Sequence, residues 1–332
     1  MKIIEFLHGN ELGGMEKFCL DLSNALSKEH EVLFVGDKVF KKYFDDSVTF
    51  KALDITKSRN NPLFLWRLFN IFKDFSPDII HVHKQKSIQI MKRLEIFLNI
   101  PYVATKHDTQ IKKSFYGLTY AIVISEEAKK NIESKYLFKI YNGISYEIPE
   151  KIVLPRVFNI VAVGGLRKVK GYDKLIEAVS KLEFPYHLTI LGEGSERVYL
   201  EALIDKLKIN DKVSLPGFRS NIKDYLYSAD LQVISSFSEG FSLAMIEGIF
   251  YTKVLMSTKV SGCIEILPTN FLVNEEDFTQ KIKDIKEHYE LYQKEFRKIK
   301  ERYTTMLTMQ NCLEEHEKTF KEIIALDKVS KE

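Results

Sequence analysis

The feature that most constrains this chain is an alternation that runs through it twice. Short runs of β-branched and aromatic residues are separated by amphipathic helical stretches. In the first half KIIEFL, HEVLFVG, DIIHVH, PYVATKH and YAIVIS read as strands. GMEKFCLDLSNALSK, PLFLWRLFNIFKDF, IQIMKRLEIFLN and EEAKKNIESKY read as the helices between and after them. Strands that alternate with helices must be joined by crossovers and lie parallel, which predicts an α/β chain with a doubly wound sheet. The pattern restarts at FNIVAVGGL and continues through GYDKLIEAVSKL, YHLTILGEG, a helix over 196–207, KVSLPG, IKDYLYSA, LQVISS, a helix in FSLAMIEGIF and KVLMS. Two tandem Rossmann-like, doubly wound parallel-sheet domains are therefore expected. Asn-Gly and two prolines in KIYNGISYEIPEKIVLPRVFN mark the join. The expected domains are residues 1–150 and 151–332, with the charged terminal helix a candidate to pack back on the first.

A chain of 332 residues with 45% hydrophobic content can fill two cores of this kind. No run approaches the eighteen or so apolar residues of a membrane span, and MKIIEFLHGN turns polar too early for a signal peptide. A cytoplasmic location is expected. Cys19, Cys263 and Cys312 are odd in number and scattered, which suits buried thiols better than a disulfide framework or a zinc site. Residues 1–152 hold 23 Lys and Arg against 19 Asp and Glu, whereas the remainder is near neutral. That asymmetry suits either a first half facing an anionic surface or ordinary solvated lysines. The excess is far below what nucleic-acid binding requires, and the terminal lysines are interleaved with acids, so no nucleic-acid partner is expected.

In open parallel sheets, ligands collect beyond the carboxyl ends of the strands, so the loops after strands are where chemistry is sought. In HGNELGGMEK, Gly13 and Gly14 precede a helix, which suits either an anion at exposed amides or a plain tight turn. In VGGLRKVKGYDKL, Gly164 and Gly165 precede Arg167, Lys168 and Lys170, cations placed to neutralise a diphosphate. Neither a dinucleotide-binding G-x-G-x-x-G nor a P-loop is present. VATKHDT sets His107 and Asp108 at a strand end, and HVHKQK sends His81 and His83 to one face of another strand. Each of these histidines suits either a ligand contact or a structural role.

The stretch SSFSEGFSLAMIEGIF carries two acids, Glu239 and Glu247, either side of a helix start. If Ser242 caps that helix, its first amides lie at Leu243 and Ala244, and Glu247 sits about 7 Å further along the axis at about 1.5 Å per residue. That is near the span from a diphosphate to the ribose of the same nucleotide, and Glu239 would face the group beyond the diphosphate. In a nucleotide sugar that group is the hexose.

These residues together resemble the retaining glycosyltransferases of family 4, which have the GT-B fold of two Rossmann-like domains facing across a cleft. SSFSEGFSLAMIEGIF is similar to the family's E-x7-E motif, VGGLRKVKGYDKLIEA to its phosphate-binding loop, YNGI to its interdomain link and LGGMEKF to its N-terminal glycine loop. The likeness covers most of the chain and is densest in residues 158–268. It implies that Glu247 binds the donor ribose and that Glu239 contacts the transferred sugar, with His107 beside it; Glu239 and His107 are thus the implied catalytic pair. Arg167 and Lys170 would hold the diphosphate, Gly14 would approach it from the first domain, and Gly165, Gly240, Phe241, Ser242 and Leu243 would complete the donor site. His83 and Asp108 fall on the acceptor side. Two departures stand out: Gly165 occupies a position where many members carry Arg, and Gly248 replaces the usual Ala.

The implied reaction moves a hexose or N-acetylhexosamine from a nucleoside diphosphate sugar, UDP-sugar favoured, to a glycan or lipid-linked acceptor in lipopolysaccharide or related surface polysaccharide assembly. No Asp-x-Asp pair is present, so no metal and no cofactor are expected. Peripheral contact with the inner membrane surface is compatible with the basic first half. PLFLWRLFNIFKDF suits either a membrane interface or burial against the sheet. A sugar-nucleotide epimerase, a phosphorylase or a silent nucleotide-sugar-binding module remain the alternatives.

Overall fold

The computed structural model describes residues 1–130 and 132–331. It divides into two compact units: residues 1–143 with 309–332, and residues 144–308. The division thus falls earlier than the join expected at 150/151, and the chain's last helix belongs to the first unit.

The first unit is built on a seven-stranded sheet of β1 (Lys2–Leu7), β2 (Glu31–Gly36), β3 (Val48–Ala52), β4 (Ile79–His83), β5 (Tyr102–Lys106), β6 (Leu118–Val123) and β7 (Ser134–Lys139), with all pairings parallel. Its strand order is β3-β2-β1-β4-β5-β6-β7. Helices α1 (Gly14–Leu26), α2 (Pro62–Phe75), α3 (Gln85–Leu94) and the short α4 (Glu126–Lys129) connect the strands. β1 and β4 are buried almost end to end, as a sheet covered on both faces requires. The helix start at α2 is chemically explicit. Asn61 Oδ1 accepts from the amides of Leu63 (3.0 Å) and Phe64 (3.3 Å), and Pro62 fills the first turn, where no amide donor is needed. Phe64, Leu68 and Phe72, four residues apart, form its buried face. Two sequence expectations need correction here. EEAKKNIESKY is helical only over Glu126–Lys129 and then gives way to β7, whose Ser134–Lys139 pairs with β6; Asn131 lies outside the described residues. VTFKA, not singled out as a strand, is β3.

The second unit has a six-stranded sheet of β8 (Phe158–Val163), β9 (Tyr186–Leu191), β10 (Val213–Gly217), β11 (Leu231–Ile234), β12 (Leu255–Thr258) and β13 (Leu272–Val273), in the order β10-β9-β8-β11-β12-β13. Its helices are α5 (Tyr172–Val179), α6 (Arg197–Leu207), α7 (Ile222–Ser228), α8 (Leu243–Tyr251), α9 (Ser261–Ile266), α10 (Phe278–Glu287) and α11 (Tyr289–Tyr303). The chain ends with α12 (Met309–Lys331), which packs against α1 in the first unit.

In both sheets the strand order reverses once, between β1 and β4 and between β8 and β11. At such a switch point the connections leave toward opposite faces, and the strand ends open a crevice where ligands bind. The topology therefore singles out the loops after β8 and β11 in the second unit, and the ends of β1 and β4 in the first.

Candidate functional site

In the second unit, the loops that flank the switch point carry Lys170 and Glu239 and are laced together by their backbones. Phe237 N donates to Val169 O (2.8 Å), and Ser235 Oγ donates to Lys170 O (2.8 Å). This close approach depends on Gly171, whose φ of +62° is left-handed and whose added Cβ would lie 2.2 Å from the Ser235 carbonyl oxygen. The consequence is that Lys170 Nζ donates to Glu239 Oε1 at 2.5 Å, and Ser236 Oγ donates to the same oxygen at 2.7 Å. Both charged side chains retain about 14% exposure. An ammonium has three donors, so one bond to Glu239 leaves capacity for an anion. Thr258 Oγ1 holds the Ser236 carbonyl from β12 (2.6 Å) and fixes the base of the loop.

Arg167 lies over Gly165, its Nε 3.4 Å from where a Cβ on that glycine would stand. With glycine where the resemblance implies arginine, the space beside Gly165 is left to Arg167. Lys168 is committed elsewhere: its Nζ donates to Asp173 Oδ2 at 2.7 Å. Tyr172, unremarked in the sequence, points its buried hydroxyl at Gly164 without a partner. Burial, and then the charge of Glu239, push that hydroxyl's pKa up, so it stays protonated and can donate.

Ser242 stands at the start of α8, its carbonyl accepting from Met245 N (3.1 Å) and Ile246 N (3.2 Å), but its side chain makes no cap bond. Gly240 O accepts from Gly262 N (2.8 Å), and Phe241 is buried as packing, so its side chain belongs to the core. Leu243 opens the helix, and Glu247 follows on its second turn at 9% exposure. Gly248 makes room for a buried side chain of β11. A Cβ there would lie 2.0 Å from Oε1 of the buried Gln232, whose Nε2 donates to Ala244 O (2.7 Å). The glycine lets β11 brace α8 through a side chain.

In the first unit, Gly14 opens α1, and of the two readings of its glycine loop the Gly13 amide favours the turn, since it donates to Glu16 Oε2 (3.0 Å). Glu16 is in turn paired with Lys84, which follows β4 at a strained φ of +67°.

The histidines gather at the carboxyl ends of β1, β4 and β5. Register sets Glu5 opposite His81, and Thr105 opposite His83. Glu5 Oε1 meets His81 Nδ1 at 3.0 Å and Oε2 meets His83 Nε2 at 2.7 Å, all of it fully buried. His81 Nε2 meets Thr105 Oγ1 at 2.6 Å, and His83 Nδ1 meets His107 Nε2 at 3.0 Å. Burial raises the Glu5 carboxyl, but the charge of His81 and the hydrogen bonds from His81 and His83 outweigh it and hold the group below the usual carboxylate range. Burial lowers His83, and lowers His107 well below the ordinary histidine range, with neighbouring histidines adding to the effect. On α12, His316 Nδ1 donates to Cys312 O (2.8 Å) and is likewise lowered by burial. Cys19, His83 and His107, and separately Glu5, His81 and His83, bring their donor atoms within 4.8 Å of one another.

Two acceptor-side expectations change accordingly. His83 has both ring nitrogens engaged and is fully buried, so it does not itself reach a ligand. Asp108 is tied to Lys106 and Lys112 and accepts from Gln110 N (3.1 Å), which gives it a loop-ordering role. Lys106, fully buried, fastens the same loop through Asp108 O and Gln110 O, both at 2.7 Å. Glu5 was not singled out from the sequence, where its one signal is a lone acid inside an apolar strand, and nothing there joins it to His316.

Comparison with known proteins follows the same division. Residues 147–302 match the family described as Glycosyl transferases group 1, and residues 12–147 match Glycosyltransferase Family 4. The chain is 26% identical over 277 residues to the lipopolysaccharide core biosynthesis glycosyltransferase LpsD of Rhizobium meliloti, covering 79% of each. It is 27% identical over 292 residues to a 4-alpha-N-acetylgalactosaminyltransferase of Campylobacter jejuni that acts on N-acetylgalactosamine-N,N'-diacetylbacillosaminyl-diphospho-undecaprenol, covering 76% of this chain and 79% of that protein. Among solved structures, Anabaena Alr3699/HepE in complex with UDP-glucose superposes with a TM-score of 0.84 at 17% identity, covering 97% of this chain and 100% of that one.

Proposed function

The chain belongs to the glycosyltransferases of the group 1 and family 4 type, with the GT-B fold, and from that premise we propose that it is a retaining, metal-independent hexosyltransferase. Its donor is a nucleoside diphosphate sugar, a UDP-sugar by preference, and its acceptor is a glycan or glycolipid of lipopolysaccharide or a related surface polysaccharide. The observation that carries this reading is the pairing of Lys170 with Glu239 at the switch point of the second sheet, beside the start of α8. A cation and a helix N-terminus in one place suit the oxygens of a diphosphate, and the acid beside them suits the hydroxyls of the attached sugar. The UDP-glucose bound by the Anabaena protein and the acceptors named for the Rhizobium and Campylobacter proteins support the donor and acceptor classes.

In this reading the bond from the sugar's anomeric carbon to the diphosphate breaks with its electron pair leaving on the diphosphate. The acceptor hydroxyl oxygen forms the new bond on the same face, and its proton passes to the departing phosphate. Lys170 and Arg167 stabilise the leaving charge where it develops, Glu239 accepts from sugar hydroxyls through the oxygen not held by Lys170, and Glu247 accepts from the ribose. His107 meets a hydroxyl of the substrate.

The first unit also offers a surface for membrane contact. α2 is buried against the sheet through Phe64, Leu68 and Phe72 while Leu63 and Trp66 stay 70% and 63% exposed; Ile96 and Phe97, after α3, are also exposed. No described helix is long and apolar enough to cross a membrane. Leu63→Ser with Trp66→Ser is expected to lower co-sedimentation with anionic vesicles, and unchanged partitioning would remove this surface. The activity itself is tested by nucleotide release from UDP-sugars in the presence of a lipid-linked glycan fraction, with the product's anomeric configuration read by NMR. An inverted linkage would defeat the retaining assignment.

A further inference from the structure

The histidine cluster in the first unit carries information about protons. The Glu5 carboxyl is held below the usual carboxylate range and so accepts through both oxygens, which assigns the protons in its two bonds to His81 Nδ1 and His83 Nε2. A neutral His83 protonated on Nε2 has a bare lone pair on Nδ1. The 3.0 Å bond from that atom to His107 Nε2 must then be donated by His107. A neutral His107 protonated on Nε2 has its own lone pair on Nδ1, and that atom meets no partner. The residue as a whole is half-buried and Nδ1 itself is covered, so the lone pair is an unmet acceptor at the carboxyl end of β5, with Phe18 edge-on at 6.0 Å.

We propose that Glu5 and His83 are positioning residues which lock His107 as its Nε2–H tautomer, so that its Nδ1 lone pair accepts a hydrogen bond from a substrate hydroxyl. The inference rests on the reading that His107 meets the substrate. It adds a chemical restriction. The group that docks on His107 must carry a proton to donate, so a hydroxyl or amide N–H is accepted and a carboxylate or phosphate oxygen is refused, because two lone pairs repel. A histidine without this support would sample both tautomers, and only one of them accepts at Nδ1.

The relay is also distinguishable from a metal centre built on Cys19, His83 and His107. In the relay His107 Nε2 carries a proton and donates to His83 Nδ1, whereas metal ligation would need both nitrogens deprotonated and turned to a common point.

The test uses the full chain labelled with 15N-histidine, with two-bond proton–nitrogen correlation spectra assigned by His107→Gln. His107 is expected as the pure Nε2–H tautomer from pH 8 to pH 6.5. An Nδ1–H tautomer overturns the relay, as does stoichiometric zinc in the purified protein. His83→Phe keeps the ring but removes the acceptor, so it is expected to give mixed His107 tautomers, to lower kcat at least tenfold and to leave the UDP dissociation constant within twofold. Full turnover in a folded His83→Phe overturns the positioning role. Glu5→Gln, which can accept from only one of its two histidines, is the second variant and is expected to show the same split between kcat and UDP affinity; a wild-type kcat there also overturns it. Full turnover in His107→Gln overturns the substrate contact itself, an outcome separate from the tautomer measured in the wild type.

Discussion

Acid should destabilise this protein well before its carboxylates protonate, because His83, His107 and His316 are neutral in the fold. Their folded pKa values are all depressed, chiefly by burial. The sign follows directly: a depressed group contributes stability above its unfolded pKa and loses it as pH falls toward the folded value. An unfolded histidine titrates near pH 6.5, so at pH 5.5 each unfolded ring gains about 1.4 kcal/mol from protonation that the folded ring does not, against about 0.1 kcal/mol at pH 7.5. Three rings give about 4 kcal/mol, a large share of the roughly 5–15 kcal/mol by which a domain is stable. Glu5 acts in the same direction but only below about pH 4.5, outside this window. Urea unfolding followed by circular dichroism at pH 7.5 and 5.5 measures the loss. His316→Phe preserves the packing against Phe18 and Phe320 and should reduce the loss by about 1.4 kcal/mol. Equal stability of the wild-type chain at the two pH values would refute the neutral, buried assignment of these rings.

Gly248→Ala should cost about 1–3 kcal/mol by driving a methyl into Gln232, and Gln232→Ala in the same chain should restore at least half of it; thermal melts of the single and double variants read this, and a Gly248→Ala as stable as wild type would show that Gln232 yields freely. Because Lys170 and Glu239 share a bond, Lys170→Ala and Glu239→Ala should be non-additive in kcat, with the double variant close to the worse single variant; strict additivity would mean that they act on separate steps. Glu247→Gln should weaken UDP binding by about 1–3 kcal/mol through loss of a charge-assisted hydrogen bond, and an unchanged dissociation constant for UDP and GDP alike would remove it from the donor site.

The architecture was legible because strand and helix periodicities are local, and the second unit was more legible than the first because its glycines mark unavoidable close approaches. Gly171 against Ser235 is such a case. EEAKKNIESKY misled because its charges suit a helix while its later residues pair with β6, and edge-strand pairing is a tertiary decision. Gly248 looked like a helix-weakening departure and is instead the space that Gln232 fills, a partner that no helical pattern specifies. His81 and His83 were placed on one face by alternation, but what they do depends on Glu5, a residue 76 positions from His81 brought alongside by strand order. His316 lay in a charged helix with no sign of burial, and only its packing with His81 and Phe320 shows it.

The central claim is that the Lys170 and Glu239 loops of the second unit hold the diphosphate and sugar of a nucleotide sugar. Isothermal titration of the purified chain with UDP, GDP, UDP-glucose and UDP-N-acetylglucosamine, repeated on Lys170→Ala, tests it most directly. The account predicts one-to-one binding of a nucleoside diphosphate and its sugar to the wild type, weakened at least tenfold in Lys170→Ala. Equal affinity in the two proteins, or no binding of any of the four to the wild type, would contradict it.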